Sequence, residues 1–309
     1  MNNFKKIGLT ALAASLVSAT SFAGTMDVTG AASISYAGGS EVTGNGWSMN
    51  DNISFSGGGE MDNGWNVTAT FLLDNGDGTG AQIFDNRSIA IDMDTMGTLS
   101  FWGQSADSIL SAHDDKMPAA YEESWYGATG PGTGATTSNM FYYSNAAIVD
   151  GVNILASYTP SGGAELASTT EVGLVYTGVD GLTLGFATGD DAGAGSTAKI
   201  ANTNMWATYA IGSATIGYQA NESDSTAANS DTEFTAMAIS YAVSGDLSVS
   251  YGVSELEKQG SASQESAAFG ASYTMGSMTL AGAAHSHDNE AHVTTDDTSN
   301  YEMTLTFAF

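Results

Sequence analysis

The chain has 309 residues, with 34 Asp and Glu against six Lys and Arg, a formal charge of −28 and no cysteine. So acidic a chain is a poor partner for nucleic acid, because phosphate recognition needs clustered cations, and without cysteine there is no disulfide framework. Abundant Tyr, Phe, Trp, Val and Ile argue against disorder.

At the start of the chain Lys5 and Lys6 precede an apolar run from Ile7 to Val17, and Ser21-Phe22-Ala23 offers small residues around a cut after Ala23. Residues 1–23 therefore read as a secretory signal peptide, leaving 24–309 as one large all-β domain. Only Arg87, Lys116, Lys199 and Lys258 then oppose the 34 acids, so the exported domain carries a charge near −30. No run approaches the roughly 18 to 20 apolar residues of a spanning helix, so entry into a membrane is by strands.

Period-two runs bounded by Gly, Asn, Asp and Ser predict sixteen strands: 26–36, 53–60, 65–73, 86–93, 98–103, 140–145, 152–159, 171–177, 182–188, 205–210, 214–220, 234–242, 247–254, 267–275, 278–286 and 301–309. Their faces separate cleanly. Leu247, Val249, Tyr251 and Val253 oppose Ser248, Ser250, Gly252 and Ser254, while Met26, Val28, Ile34 and Tyr36 oppose Asp27, Thr29, Ser33 and Ser35. A soluble sandwich would want large apolar residues on its inner face, whereas a barrel of about 16 strands leaves an aqueous lumen suited to Ser, Thr and Gly. Links after even-numbered strands are short, such as 178–181 and 276–277; those after odd-numbered strands are long and acidic, such as 39–50 and 189–204. That alternation places every long loop at one end, as in barrels with short periplasmic turns and long extracellular loops.

The stretch from Tyr301 to Phe309 closes the series, with Tyr301, Met303, Leu305, Phe307 and Phe309 on one side and Glu302, Thr304, Thr306 and Ala308 on the other. An apolar face with aromatics at both ends matches the outward band and girdles of a transmembrane barrel.

Residues 104–139 form the longest connection, after the fifth strand. Together with the phrases Asn86-Arg87-Ser88-Ile89-Ala90-Ile91, Gly97-Thr98-Leu99-Ser100-Phe101-Trp102-Gly103-Gln104 and Phe141-Tyr142-Tyr143-Ser144, followed by Gly151 and Ala156-Ser157-Tyr158, this pattern resembles the general diffusion porins of Gram-negative outer membranes. The resemblance implies a 16-stranded antiparallel up-and-down barrel in outer-membrane lipid and a homotrimer with one pore per subunit. It also implies a third loop folded into the lumen, and Tyr301, Phe307 and Phe309 as the signal read by the barrel-assembly machinery. Carried onto this loop, it makes Asp107, Asp114, Asp115, Lys116, Glu122 and Glu123 constriction residues, with Arg87 and Gln104 where the family places wall arginines. By alternation, however, Arg87 shares a side with Ile89 and Ile91, which faces lipid unless a bulge shifts the register. With the arginine ladder nearly missing, the expected pore is a cation-selective acidic eyelet.

Other constellations are weaker. Asp74, Asp77, Asp190 and Asp191 are candidate Ca²⁺ ligands in acidic loops, but Gly76 and Gly78 replace ligands of an EF-hand. His285, His287 and His292 lack the further ligands of a zinc site. Residues 130–134 form a turn-rich tip without the Lys of a phosphate loop. No Ser, His and Asp set stands out, so catalysis and cofactors are not expected. Trp125, Tyr126 and Tyr121 are candidate solute contacts of a substrate-selective channel; a barrel-scaffold hydrolase and a surface adhesin are the rivals from other classes.

Overall fold

The computed structural model describes residues 26–40, 44–74, 84–104, 106–133, 136–160, 168–192 and 199–309. The proposed signal peptide lies outside the described residues.

Sixteen antiparallel strands close into one barrel. They are β1 (Met26–Gly39), β2 (Trp47–Glu60), β3 (Asn66–Asp74), β4 (Asn86–Asp92), β5 (Thr98–Gln104), β8 (Met140–Val149), β9 (Val152–Thr159), β10 (Thr169–Val179), β11 (Leu182–Ala192), β12 (Lys199–Ile211), β13 (Ala214–Ser225), β14 (Thr232–Ala242), β15 (Leu247–Lys258), β16 (Gln264–Met275), β17 (Met278–Asp288) and β18 (Thr298–Ala308). The remaining two, β6 (Ala106–Asp107) and β7 (Thr136–Thr137), pair only with each other inside the long loop. Each wall strand hydrogen-bonds to its sequence neighbours, β5 joins β8 past the loop, and β18 returns to β1 to seal the cylinder. Closure leaves no edge, the condition for placing backbone polar groups in lipid.

All sixteen alternating runs form strands, and the alternation sorts their side chains as expected. One outer row passes through Ile216, Ile239, Tyr251, Phe269, Ala284, Tyr301 and Gly38, each residue directly opposite the next. Gly38 is required there: a Cβ would stand 2.5 Å from the ring of Tyr301, which lies across it. The links at 180–181, 212–213 and 276–277 have two residues each, and Gly181 (φ 74°), Gly212 (φ 60°) and Gly276 (φ 62°) supply the left-handed backbone such hairpins need.

The strands run farther into the long-loop end than alternation predicts. β13 continues to Ser225 and β15 to Lys258, although 221–233 and 255–265 read as loops. In these extensions the outer positions carry Glu222, Asp224, Glu255 and Glu257 in place of apolar residues. The ladder continues past the apolar band, and the hydrophobic signal that marks a strand disappears there.

Candidate pore constriction

The loop between β5 and β8 folds into the barrel and lies chiefly against the wall formed by β9 to β18. Its anchors can be taken in order. Glu171 on β10 accepts from the Leu110 amide (2.9 Å), and Asn204 on β12 donates to the Leu110 carbonyl (2.8 Å). Gln219 on β13 accepts from the Lys116 amide (2.9 Å) and donates to the Asp114 carbonyl. Ser250 and Ser254 on β15 hold the Ala120 amide (2.8 Å) and the Ser124 hydroxyl (2.9 Å). Gln264 on β16 donates to the Thr129 carbonyl (2.8 Å), and His285 on β17 bonds the Glu123 carbonyl through Nε2 (3.0 Å). On β18 the Glu302 carboxylate accepts from the phenols of Tyr121 (3.0 Å) and Tyr126 (2.7 Å).

Two apolar clusters complete the docking. Ile109 and Leu110 pack on Leu155 and Ala187, while Met117 and Trp125 pack on Phe234, Ala236 and Leu256. Apolar side chains point into a water-filled lumen only where the loop covers them, so Phe234 and Leu256, both 2 % exposed, mark its seat. Along β15 the seam narrows to a void of about 10 Å³.

The described anchors of the loop thus set β1 to β5 across the lumen from it. The register turns Asn50, Asn52 and Ser54 of β2, Asn86 and Ser88 of β4, and Ser100 of β5 inward there. Amides and hydroxyls, with Leu72 of β3 and Trp102 of β5 at the same inward parity, thus face the loop across the aperture.

The loop side is acidic. Burial raises Asp114 to about 7, helped by the charges of Asp115 and Asp107. Burial likewise raises Glu123 to about 8, helped by Asp115, and Asp115 itself is raised by burial against the opposing effects of its hydrogen bond to Glu123 and of Lys116. Glu122 is raised by burial, then by Glu302 and Asp115. The loop therefore brings Asp114, Asp115, Lys116, Glu122 and Glu123 into one electrostatic cluster, with Glu302 of the wall as a member that sequence reasoning passed over. Its inward parity on β18 was the available signal.

Other sequence candidates fall elsewhere. Arg87 is registered opposite Phe71, 40 % exposed on the outer face, and its side chain lies over Gly103. A bulge does occur between Arg87 and Ser88, but it shifts only the β4–β5 ladder, leaving Arg87 opposite Gln104 and outside the aperture wall. Gln104 stands at the root of the loop with Oε1 buried. Trp125 is 8 % exposed, packed edge-on to Phe234 at 4.9 Å, and so is a docking residue in place of a solute contact. Tyr121 and Tyr126 reach the seam between loop and wall, and Tyr126 stays 40 % exposed. Asp107, which pairs with Thr136 in the short loop ladder, does not fall elsewhere: its charge reaches Asp114 of the acidic cluster. Of the calcium candidates, Asp77 lies outside the described residues, and Asp74 on β3 is six strands round the barrel from Asp190 and Asp191 on β11, so they do not converge. Among the described residues no group of three or more His, Asp or Glu could hold a metal ion. Tyr301, Phe307 and Phe309 stand on the outer side, 48, 43 and 72 % exposed.

A family model described as Gram-negative porin matches residues 8–292. The chain is a member of the Gram-negative porin family. Family and barrel together place this porin in the outer membrane as a diffusion channel and point away from an enzyme. Among solved structures, the anion-selective porin from Comamonas acidovorans superposes with a TM-score of 0.72 at 11 % identity, covering 92 % of this chain and 99 % of that one. OmpT of Vibrio cholerae in its trimer form gives 0.71 at 14 % identity, covering 93 % and 100 %. A triple mutant of the Rhodopseudomonas blastica porin gives 0.69 at 16 % identity, covering 92 % and 100 %. These likenesses concern the fold. No curated protein matches the chain.

Proposed function

We propose that this porin is a cation-preferring channel for small hydrophilic solutes, narrowed by its third loop. The observation that supports the reading is the pairing of an acidic loop face with a wall of amides and hydroxyls. In the usual transverse arrangement cations on the wall would offset the acids; here Arg87 is turned away and Lys116 alone stands among the loop carboxylates. Carboxylates lining a pore favour cations, and a low-dielectric wall focuses their potential. The Comamonas porin, named as anion-selective, shares the barrel at 11 % identity, whereas preference is set by side chains at the aperture. Assembly as a homotrimer is part of the proposal, supported by the trimer form of the Vibrio relative. The test is the reversal potential of the purified protein in a planar bilayer under a KCl gradient: a cation-selective sign supports the reading, and an anion-selective one overturns it.

A further inference from the structure

We infer that the outer wall of β15, β16 and β17 binds an acylated lipid whose headgroup carries an amine. The first observation is a hollow of about 550 Å³ on the lipid-facing surface, floored by Ala271, Gly282 and Ala284 and walled by Phe269 and Tyr273 of β16 on one side and Tyr301 and Met303 of β18 on the other. Its lining is almost wholly apolar. A second hollow of about 540 Å³ adjoins it one outward position farther along the same strands, where Val253, Ala267 and Ser286 lead up to Glu255, Glu265 and Asp288. From Leu280 to Asp288 the trough follows nine residues of β17, about 27 Å along the strand and roughly 20 Å of depth at barrel tilt, close to the height of an apolar band. That is the path of an acyl chain.

Charge complementarity chooses the head. Glu255, Glu265 and Asp288 stand directly opposite one another on three neighbouring strands, and Glu222, Glu233 and Glu257 form a second row beside them. Directly opposed like charges destabilise a sheet, and no basic residue occupies a position in either row. A cation held above the trough relieves that repulsion, and an amine tethered to an acyl chain is delivered there by the fit of the chain below.

The experiment is native mass spectrometry of the purified protein in neutral detergent with EDTA, offered phosphatidylethanolamine or phosphatidylglycerol. The wild type is expected to retain the amine lipid about fivefold more than the anionic one, the effect of a single favourable exposed charge contact. Ala284→Leu, which fills the trough, abolishes retention of both. The combined Glu255→Gln, Glu265→Gln and Asp288→Asn variant retains both equally. Heat-modifiable migration on gels reports folding, and Ala271→Leu tests the same floor should Ala284→Leu fail to fold. Equal retention by the wild type, or undiminished retention by both floor variants, overturns the inference. It is also overturned if phosphatidylglycerol outcompetes the amine lipid once Mg²⁺ is restored, or if Ala284→Leu dissociates an assembly of subunits, since the occupant is then a cation-bridged anion or a second copy.

Discussion

Tyr126 donates its phenolic hydrogen to Glu302 over 2.7 Å, joining the outer end of the loop to β18. Glu302 also receives Tyr121, so two contacts of the loop converge on one carboxylate. Tyr126→Phe removes one charge-assisted bond, and because the site is 40 % exposed the loss is about 1 kcal/mol. Single-channel records should show noisier open states at unchanged reversal potential. Glu302→Gln removes a wall charge as well and should also reduce cation preference.

Trp125 makes a contrasting case. It fills the pocket above Phe234, and Trp125→Ala should loosen loop docking by about 3 kcal/mol, as for other large buried side chains. Conductance should then rise, with protease sensitivity confined to the loop. A loss of saturable solute block at unchanged conductance would instead restore Trp125 as a solute contact.

Acidity should tune the pore. Asp114 and Glu123 titrate near 7 and 8, so cation preference is largest above about pH 8 and declines as the pH falls through that range. Reversal potentials measured between about pH 5 and 9 would check this; a flat profile would remove these carboxyls from the eyelet. Because both folded values lie above the ordinary 3.8 and 4.5, the docked loop binds more protons than an undocked one. Its docking stability is thus fully present below the ordinary carboxylate range and is lost as pH rises through 7 to 8. Hydrogen exchange across 114–126, corrected for intrinsic rates, should show greater protection at about pH 6 than at about pH 9.

Barrel closure offers a further test. Gly30 and Phe309 exchange two backbone hydrogen bonds, of 2.8 and 2.9 Å, and the ring of Phe309 lies over Gly30, 2.8 Å from where a Cβ would be. Gly30→Leu must displace that ring and press on the Asn52 carbonyl. Overpacking of this kind costs about 1 to 3 kcal/mol, so the heat-modifiable form should melt at lower temperature.

What the sequence made legible follows from where water and lipid impose alternation. Within the apolar band every strand was readable, down to the inward Ser250 and Ser254 and the outward Tyr251 and Val253. Above it, Glu222 and Glu257 occupy outer positions in water, and alternation no longer distinguishes strand from loop. The acids of 114–123 were legible as a cluster because they are close in sequence. Their partners were not, because Gln219, Gln264, His285 and Glu302 come from separate strands. A signal was nonetheless present: Asn204, Gln219, Asn221, Gln264 and His285 are large polar residues at inward positions, and each one touches the loop. Arg87 was the reverse case, a residue whose phrase fitted the family but whose parity with Ile89 predicted its outward turn.

Because the loop leans chiefly on β9 to β18, the barrel divides into a furnished half and a blank half. Among the described residues the hydrogen bonds that hold the loop reach none of Asn50, Asn52 and Ser88, which face it from the opposite wall. A lysine or arginine grafted onto any of them would rewrite permeation without disturbing a single docking contact, making β2 and β4 a writable surface on an otherwise committed scaffold.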